Sequence, residues 1–166
     1  LPPPQLTPVD LNALIKEVLG LYETSRAQVR LKLAGKLPPV LGDATQLRQI
    51  IHNLLRNAED AQEGVDSPII TIATRQVDAM SEMSVADAGP GFPPEILARV
   101  CEPYVTTKAR GTGLGLAIVK KIVDEHHGRI KINNLQPTGA EVSVILPLAA
   151  LSNQKREQSN KLPSGA

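Results

Sequence analysis

The chain has 166 residues, 42% of them apolar, which is enough for the core of one domain. Eighteen basic and seventeen acidic residues give a net charge of +1, which excludes a global attraction to nucleic acid or anionic lipid. The single cysteine, Cys101, excludes an internal disulfide. Because aromatic residues are scarce and no apolar run could cross a bilayer, the sequence predicts a cytoplasmic chain that does not bind nucleic acid.

The first elements follow from prolines and apolar spacing. Prolines at positions 2–4 predict a linker over residues 1–8, and Thr7 before Pro8 predicts a helix N-cap and first helical residue. The helix is expected to reach about residue 25, because apolar residues recur at helical spacing. They are Leu11, Leu14, Ile15, Val18, Leu19 and Tyr22. The alternating "VRLKL" predicts a strand over 29–33.

A long helix is predicted in the middle of the chain. Asp43 and Gln46 resemble a capping box, and the helical pattern runs to about Gln62. Strands are expected near 69–75 and 82–86, joined by "QVDAMS", followed by the turn-forming "DAGPGFPP" and a short helix over 94–100.

The remaining elements complete one domain over 9–150. A polar loop over 101–112 precedes a glycine-led helix that ends before Gly128, and strands are predicted at "RIKIN" and "EVSVILP". Residues 151–166 are predicted to be a disordered polar tail. Helices interspersed with hairpin-linked strands predict a two-layer α/β sandwich with a mixed sheet.

The stretch "KARGTGLGLAIVKK" places three glycines at alternate positions before a helix. Backbone N–H groups and the positive end of the helix dipole meet at such a point, so an anion such as phosphate could bind there. The spacing matches neither GxxxxGK[ST] nor GxGxxG. From these residues alone, a phosphate site and a plain tight turn are both open.

The long helix carries a polar row along the edge of its apolar face. The row is Gln46, Gln49, Asn53, Asn57 and Asp60, whereas Arg48, His52, Arg56 and Glu59 are predicted to face outward. A row of carboxamides bordering a core is unusual, because amides buried at such an edge need partners that water would otherwise supply. It could be the solvated flank of an amphipathic helix. It could also offer neutral side-chain oxygens to Mg²⁺ and amides to phosphates.

Four stretches in order, "NLLRNAEDA", "DAGPGF", "EPYVTTK" and "GTGLGLAIVKKIVDEHHG", resemble the N, G1, F and G2 boxes of histidine kinase ATP-binding domains. The chain resembles the catalytic domain of two-component sensor kinases, in the superfamily that includes gyrase, Hsp90 and mismatch-repair clamps. The details are most similar to NtrY-type nitrogen-regulation kinases. The resemblance implies a Bergerat-type fold, with a mostly antiparallel sheet covered on one face by helices.

The resemblance implies roles for individual residues. Asn57 would ligate Mg²⁺ bridging the ATP phosphates, Asn53 would support the phosphates, and Asp87 would accept a hydrogen bond from the adenine amino group. Lys108 and Arg110 would belong to a lid over the triphosphate. The full implied set is Asn53, Asn57, Asp60, Asp87, Gly89, Gly91, Thr107, Lys108, Arg110, Gly111, Thr112, Gly113, Leu114, Gly115 and Leu116. No residue is assigned as catalytic.

The implied partners lie outside this chain. ATP or ADP would bind here, the acceptor histidine would sit on a separate dimerisation hairpin of the same kinase, and a response regulator would act downstream. The fragment is expected to be monomeric, and NtrY-type parents are usually anchored in the inner membrane. His52 is expected in solvent, and His126 and His127 at a helix end that favours imidazolium, so all three histidines are predicted to be structural.

Three positions depart from the family pattern. Ala88 replaces a common asparagine, Ala140 a common threonine, and Cys101 a common phenylalanine, for which a small apolar packing role is expected. The alanines favour one rival, a nucleotide-binding pseudokinase. A second rival is a gyrase- or Hsp90-like ATPase, which would need a glutamate where Asn53 stands. A third is a protein that binds no nucleotide.

Overall fold

A mixed sheet covered by helices forms the fold in the computed structural model, which describes residues 2–22, 26–103 and 114–149. The elements are β1 (Thr7–Val9), α1 (Leu11–Leu21), β2 (Gln28–Lys32), β3 (Val40–Gly42), α2 (Ala44–Ala61), β4 (Ile69–Val77), β5 (Met80–Asp87), α3 (Pro94–Leu97), α4 (Gly115–Glu125), β6 (Arg129–Asn134) and β7 (Ala140–Pro147). The large sheet has the order β2-β4-β5-β7-β6. β2 and β4 are parallel and the other neighbours antiparallel, so the predicted mixed, mostly antiparallel sheet is confirmed.

The core lies between the sheet and the helices α1, α2 and α4. Alternate residues of the central strands, such as Ile72, Met83 and Val144, are buried against the apolar stripes of the helices. The residues between them, such as Ala73 and Ser84, are only half-buried, since they point to the opposite face. α2 packs on both α1 and α4, and therefore occupies the centre of the helical layer.

The long helix follows the predicted pattern closely. The Asp43 carboxylate accepts hydrogen bonds from the N–H groups of Thr45 and Gln46, which starts α2 where the capping residues predict. The capping box is nevertheless incomplete, because the Gln46 side chain does not accept the N–H of Asp43, and its amide nitrogen donates to the carbonyl of Pro2. The Asp43 N–H is instead donated to His126.

The start of the chain differs from the prediction. Thr7 is not an N-cap and Pro8 is not helical, because residues 7–9 form β1, which pairs antiparallel with β3. Asp10 caps α1 through the N–H of Ala13. The short strand β3 was not predicted, since three residues beside prolines are too few to show an alternating pattern.

Other boundaries also move. α1 ends at Leu21 because Tyr22 is extended, and α3 is one turn, shorter than the predicted 94–100. The β4–β5 hairpin closes over Asp78 and Ala79, with Asp78 at φ 52, so its turn is tighter than "QVDAMS". The predicted tail lies outside the described residues. Among the helices that are described, none is both long and apolar enough for a membrane span.

Candidate nucleotide-binding site

The polar row of α2 contacts the start of α4 through Asn53. Asn53 and Asn57 are half-buried one turn apart, and Asp60 is exposed. The Asn53 side-chain amide donates to the carbonyl of Gly115, the first residue of α4, over 3.3 Å. The row therefore borders the place where the glycine-rich stretch enters its helix. This position is the one expected if the row contacts a bound ligand instead of only facing solvent.

The row is not uniform. Gln46 is 6% exposed, whereas Gln49 is exposed. The predicted outward face is correct for Arg48, His52 and Arg56, which are exposed. Glu59 differs, since it is half-buried and accepts a hydrogen bond from the Tyr22 hydroxyl. Burial, followed by this contact with Glu59, raises the pKa of the Tyr22 hydroxyl.

Asp87 lies at the end of β5 and is 9% exposed. Its Oδ1 atom accepts hydrogen bonds from the Gly89 N–H at 2.9 Å and from the Ala140 N–H at 3.3 Å. Two backbone donors from different parts of the chain thus fix the orientation of the carboxylate. A fixed, largely desolvated carboxylate is suited to accept a hydrogen bond from one defined donor of a ligand.

The turn after Asp87 requires glycine at two of the predicted positions. A Cβ on Gly89 would lie 2.5 Å from the carbonyl oxygen of Ala61, at the end of α2. Gly91 has φ +79, and a Cβ there would lie 2.8 Å from Oδ1 of Asn134. These glycines are therefore explained by packing of the protein itself, which brings the turn against the helix that carries Asn57.

Three further side chains brace this turn and were not predicted as site residues. Gln62 accepts the N–H of Ala88, Thr138 donates to the carbonyl of Gly89, and the Asn134 amide pairs with both backbone groups of Phe92. No short-range pattern marks them. In the sequence, Gln62 is only a polar residue at the predicted end of a helix, and Thr138 only lies in a stretch of turn-forming residues.

The glycine-rich stretch is described in part. Thr107, Lys108, Arg110, Gly111, Thr112 and Gly113 lie outside the described residues. Leu114 is half-buried and Gly115 exposed at the start of α4, whereas the Leu116 side chain is 7% exposed and belongs to the core. Any contact of Leu116 with a ligand therefore has to come from its backbone.

The histidines and Cys101 have structural surroundings. The Nε2 atom of His126 accepts the Asp43 N–H at 3.0 Å, so its Nδ1 atom carries the proton and donates to the Ile122 carbonyl. Both ring nitrogens of His126 are therefore engaged in contacts within the fold. Cys101 packs beside the core, which confirms its predicted role, and burial raises the pKa of its thiol.

The donor set fits a magnesium-bound nucleotide. Within residues 2–22, 26–103 and 114–149, no three His, Cys, Asp or Glu side chains cluster as a metal cage. Mg²⁺ usually takes one or two protein oxygens and fills its other positions with phosphate and water. A single carboxamide oxygen, such as that of Asn57 on α2, is consistent with that demand.

Comparisons with known proteins identify the family. A family model described as "Histidine kinase-, DNA gyrase B-, and HSP90-like ATPase" matches residues 42–150. The chain is 37% identical over 153 residues to a putative sensor histidine kinase NtrY-like of Rickettsia felis, which covers 91% of this chain and 26% of that protein. It thus spans about a quarter of the length of that curated relative.

Solved structures show the same fold. The catalytic domain of histidine kinase ThkA has a TM-score of 0.77 at 32% identity, covering 86% of this chain and 95% of that chain. Full-length ShkA in complex with AMPPNP has a TM-score of 0.75 at 31% identity, covering 86% and 31%. ThkA in complex with response regulator TrrA has a TM-score of 0.74 at 28% identity, covering 87% and 42%. The resemblance that the four motifs indicate is confirmed.

Proposed function

The chain belongs to the family of histidine kinase-, DNA gyrase B- and HSP90-like ATPases, and from this premise we propose that it binds Mg-ATP and transfers the γ-phosphoryl group to a histidine of a separate dimerisation hairpin. The named relatives are sensor histidine kinases, and the solved neighbours include one kinase with AMPPNP and one with a response regulator. By analogy, this chain acts on the cytoplasmic side of its parent kinase, and a response regulator receives the phosphoryl group.

The orientation of Asp87 is the observation that carries the proposal. Its carboxylate, held by the Gly89 and Ala140 N–H groups, accepts the exocyclic amino group of adenine. The glycine turn then lets backbone lie beside the base. Because an amino group donates where a 6-oxo group accepts, this arrangement favours adenine over a 6-oxopurine.

The other residues position the phosphates. The side-chain oxygen of Asn57 would hold Mg²⁺, and Asn53 links α2 to the N-terminus of α4, where backbone N–H groups favour anions. We assign Lys108 and Arg110 to the γ end of the triphosphate. When bound, Mg²⁺ would supply neutralisation of the phosphate charge, and the residues of this chain would contribute mainly positioning and electrostatic stabilisation.

Two alternatives differ in what they require of the same residues. A gyrase-like hydrolase needs a general base at position 53, but the Asn53 amide has no basic group and its nitrogen donates to Gly115. The pseudokinase alternative is favoured by Ala88 and Ala140, whose methyl groups offer no hydrogen bond beside Asp87. It predicts nucleotide binding without transfer.

Calorimetric titration with Mg-ADP tests the binding site. We expect Asp87→Asn to weaken binding by about tenfold to a hundredfold, since a hydrogen bond to a charged group is lost. Asn57→Ala should weaken Mg-ADP binding more than metal-free ADP binding. Gln49→Ala, an exposed amide of the same row, is the matched control and should leave both affinities unchanged.

Transfer is tested separately by mixing the chain, Mg-ATP and an acceptor hairpin of a related kinase. Acid-labile phosphate on the hairpin histidine is the expected result. Binding without phosphohistidine would favour the pseudokinase, and Mg-ADP titrations without heat or a shift in melting temperature would contradict the whole proposal.

A further inference from the structure

Gln62, immediately after α2, forms hydrogen bonds through both ends of its buried carboxamide. The residue is 1% exposed. Its Nε2 atom donates to the Ala58 carbonyl over 3.1 Å, and its Oε1 atom accepts the N–H of Ile69 at 2.9 Å and the N–H of Ala88 at 3.2 Å. One side chain therefore joins the last turn of α2, the start of β4 and the residue that follows Asp87.

These contacts link the two halves of the candidate site. α2 carries Asn57 five residues before Gln62, and Ala88 is the peptide neighbour of Asp87. The carbonyl of Ala61 presses against Gly89, within 2.5 Å of where a Cβ would stand. A change in the Gln62–Ala88 contact would thus move the base-recognising carboxylate relative to the helix that holds the metal ligand.

We propose that Gln62 is a positioning residue for nucleotide recognition, which fixes Asp87 relative to α2 and thereby sets the preference for a 6-aminopurine over a 6-oxopurine. The inference rests on the function proposed above. A hydrogen bond from the amino group of the base to Asp87 is directional. If the carboxylate can shift, its hydrogen bond to a 6-aminopurine becomes weaker, and so does its repulsion of the oxygen of a 6-oxopurine.

The chemistry of the contacts explains the residue type. The site needs one donor for a helix carbonyl and one acceptor for two N–H groups, in a neutral side chain long enough to reach all three. Glutamate would place a second buried negative charge near Asp87, and an apolar residue would leave two backbone N–H groups without their acceptor.

The test compares Gln62→Met with Gln46→Met. Both glutamines lie in or next to α2 and are more than nine-tenths buried, but the Gln46 amide contacts Pro2 at the end far from Asp87. Dissociation constants for Mg-ADP and Mg-IDP are measured on each protein by calorimetry. The ratio of the two constants is the readout, because both ligands carry the same phosphates and metal.

We expect Gln62→Met to lower the preference for Mg-ADP over Mg-IDP by about fivefold, which corresponds to one neutral hydrogen bond. Gln46→Met should keep the wild-type ratio, and it should lower the melting temperature less than Gln62→Met does, because it removes one hydrogen bond instead of three. An unchanged ratio in Gln62→Met, or an equal loss in Gln46→Met, would overturn the inference.

Measurements on the wild-type protein and on Asp87→Asn keep the outcomes separate. If wild type binds neither nucleotide, the proposed function fails; if it prefers Mg-ADP and Asp87→Asn removes that preference, only the role of Gln62 is in question. Should Gln62→Met not fold, amide hydrogen exchange of wild type decides: the Ala88 N–H is expected to be protected like the neighbouring strand, and exchange at the rate of an unfolded chain would overturn the inference.

Discussion

The two ends of α2 are closed by similar residues in different ways. Gln46 at the start and Gln62 at the end are both buried. Every polar atom of the Gln62 side chain has a protein partner, whereas the Oε1 atom of Gln46 has none among the described residues. The start of the helix is held mainly by other contacts: the Asp43 cap, β1 pairing with β3, and His126.

The two ends of α2 therefore differ in which groups form the close contacts. At the end beside Asp87, backbone meets backbone, and the Gln62 side chain accepts the N–H groups of Ile69 and Ala88. At the start, side chains provide the close contacts: a Cβ on Gly42 would meet Cδ1 of Leu47 at 2.6 Å. Side chains can rotate away from an added methyl group and a helix carbonyl cannot, so the site end should tolerate substitution less.

The largest expected effect is that of Gly89→Ala. The new methyl group would overlap the Ala61 carbonyl, and we expect a loss of about 3 kcal/mol in the free energy of unfolding together with weaker Mg-ADP binding. Gly42→Ala, at the other end, should cost about 1 kcal/mol because Leu47 can adjust. Urea unfolding measures both.

Gly35→Ala is the control, since no described atom lies within 4 Å of a Cβ at that position. It should change the free energy of unfolding by less than about 0.5 kcal/mol. If Gly42→Ala destabilised the protein as much as Gly89→Ala, the proposed contrast between the two ends would be wrong.

The next largest effect concerns His126, which lies at the start of α2 in space although it is 83 residues from Asp43 in sequence. His126→Leu removes the acceptor for the Asp43 N–H and the donor to the Ile122 carbonyl, so we expect a loss of about 2 kcal/mol in the free energy of unfolding. Mg-ADP affinity should stay within about twofold of wild type, because both contacts are made away from Asp87.

His127→Asn provides a matched control for that variant. His127 is exposed, with φ 58, a backbone conformation that asparagine accepts. The free energy of unfolding of His127→Asn should be close to that of wild type. A large loss of nucleotide affinity in His126→Leu would show that the two ends of the helix are coupled.

The sequence predicts part of the structure around the end of α2 that lies beside Asp87. The bounds of α2 follow from the Asp43 cap and the apolar spacing, and the glycines after Asp87 mark the turn. Gln62 could not be assigned a role, because its partner Ala88 is 26 residues away and no local pattern relates a helix end to a later turn. The pairing is fixed only when β4 and β5 lie beside α2.

The start of the helix is less predictable for the same reason. Pro8 favours a helix start locally, but pairing of residues 7–9 with β3 overrides that preference. The hydrogen bond that His126 accepts likewise comes from a distant N–H group and does not follow from its position at a helix end. Contacts between residues far apart in sequence decide both cases.

The smallest expected effect is the pH dependence of Asp43. The N–H of Gln5, followed by those of Gln46 and Thr45, donates to the ionised carboxylate and lowers its pKa below the ordinary 3.8, although burial opposes the shift. A carboxyl with a lowered folded-state pKa contributes stability above its unfolded pKa and loses it as pH falls through the folded value.

Asp43→Asn keeps a neutral cap without this titration. The difference in free energy of unfolding between wild type and Asp43→Asn should therefore be constant near neutral pH and shrink below about pH 3.8. Thermal unfolding of both proteins down to about pH 2.5 measures it, and a difference that stays constant over that range would show that the contact with Gln5 does not depend on the charge of Asp43.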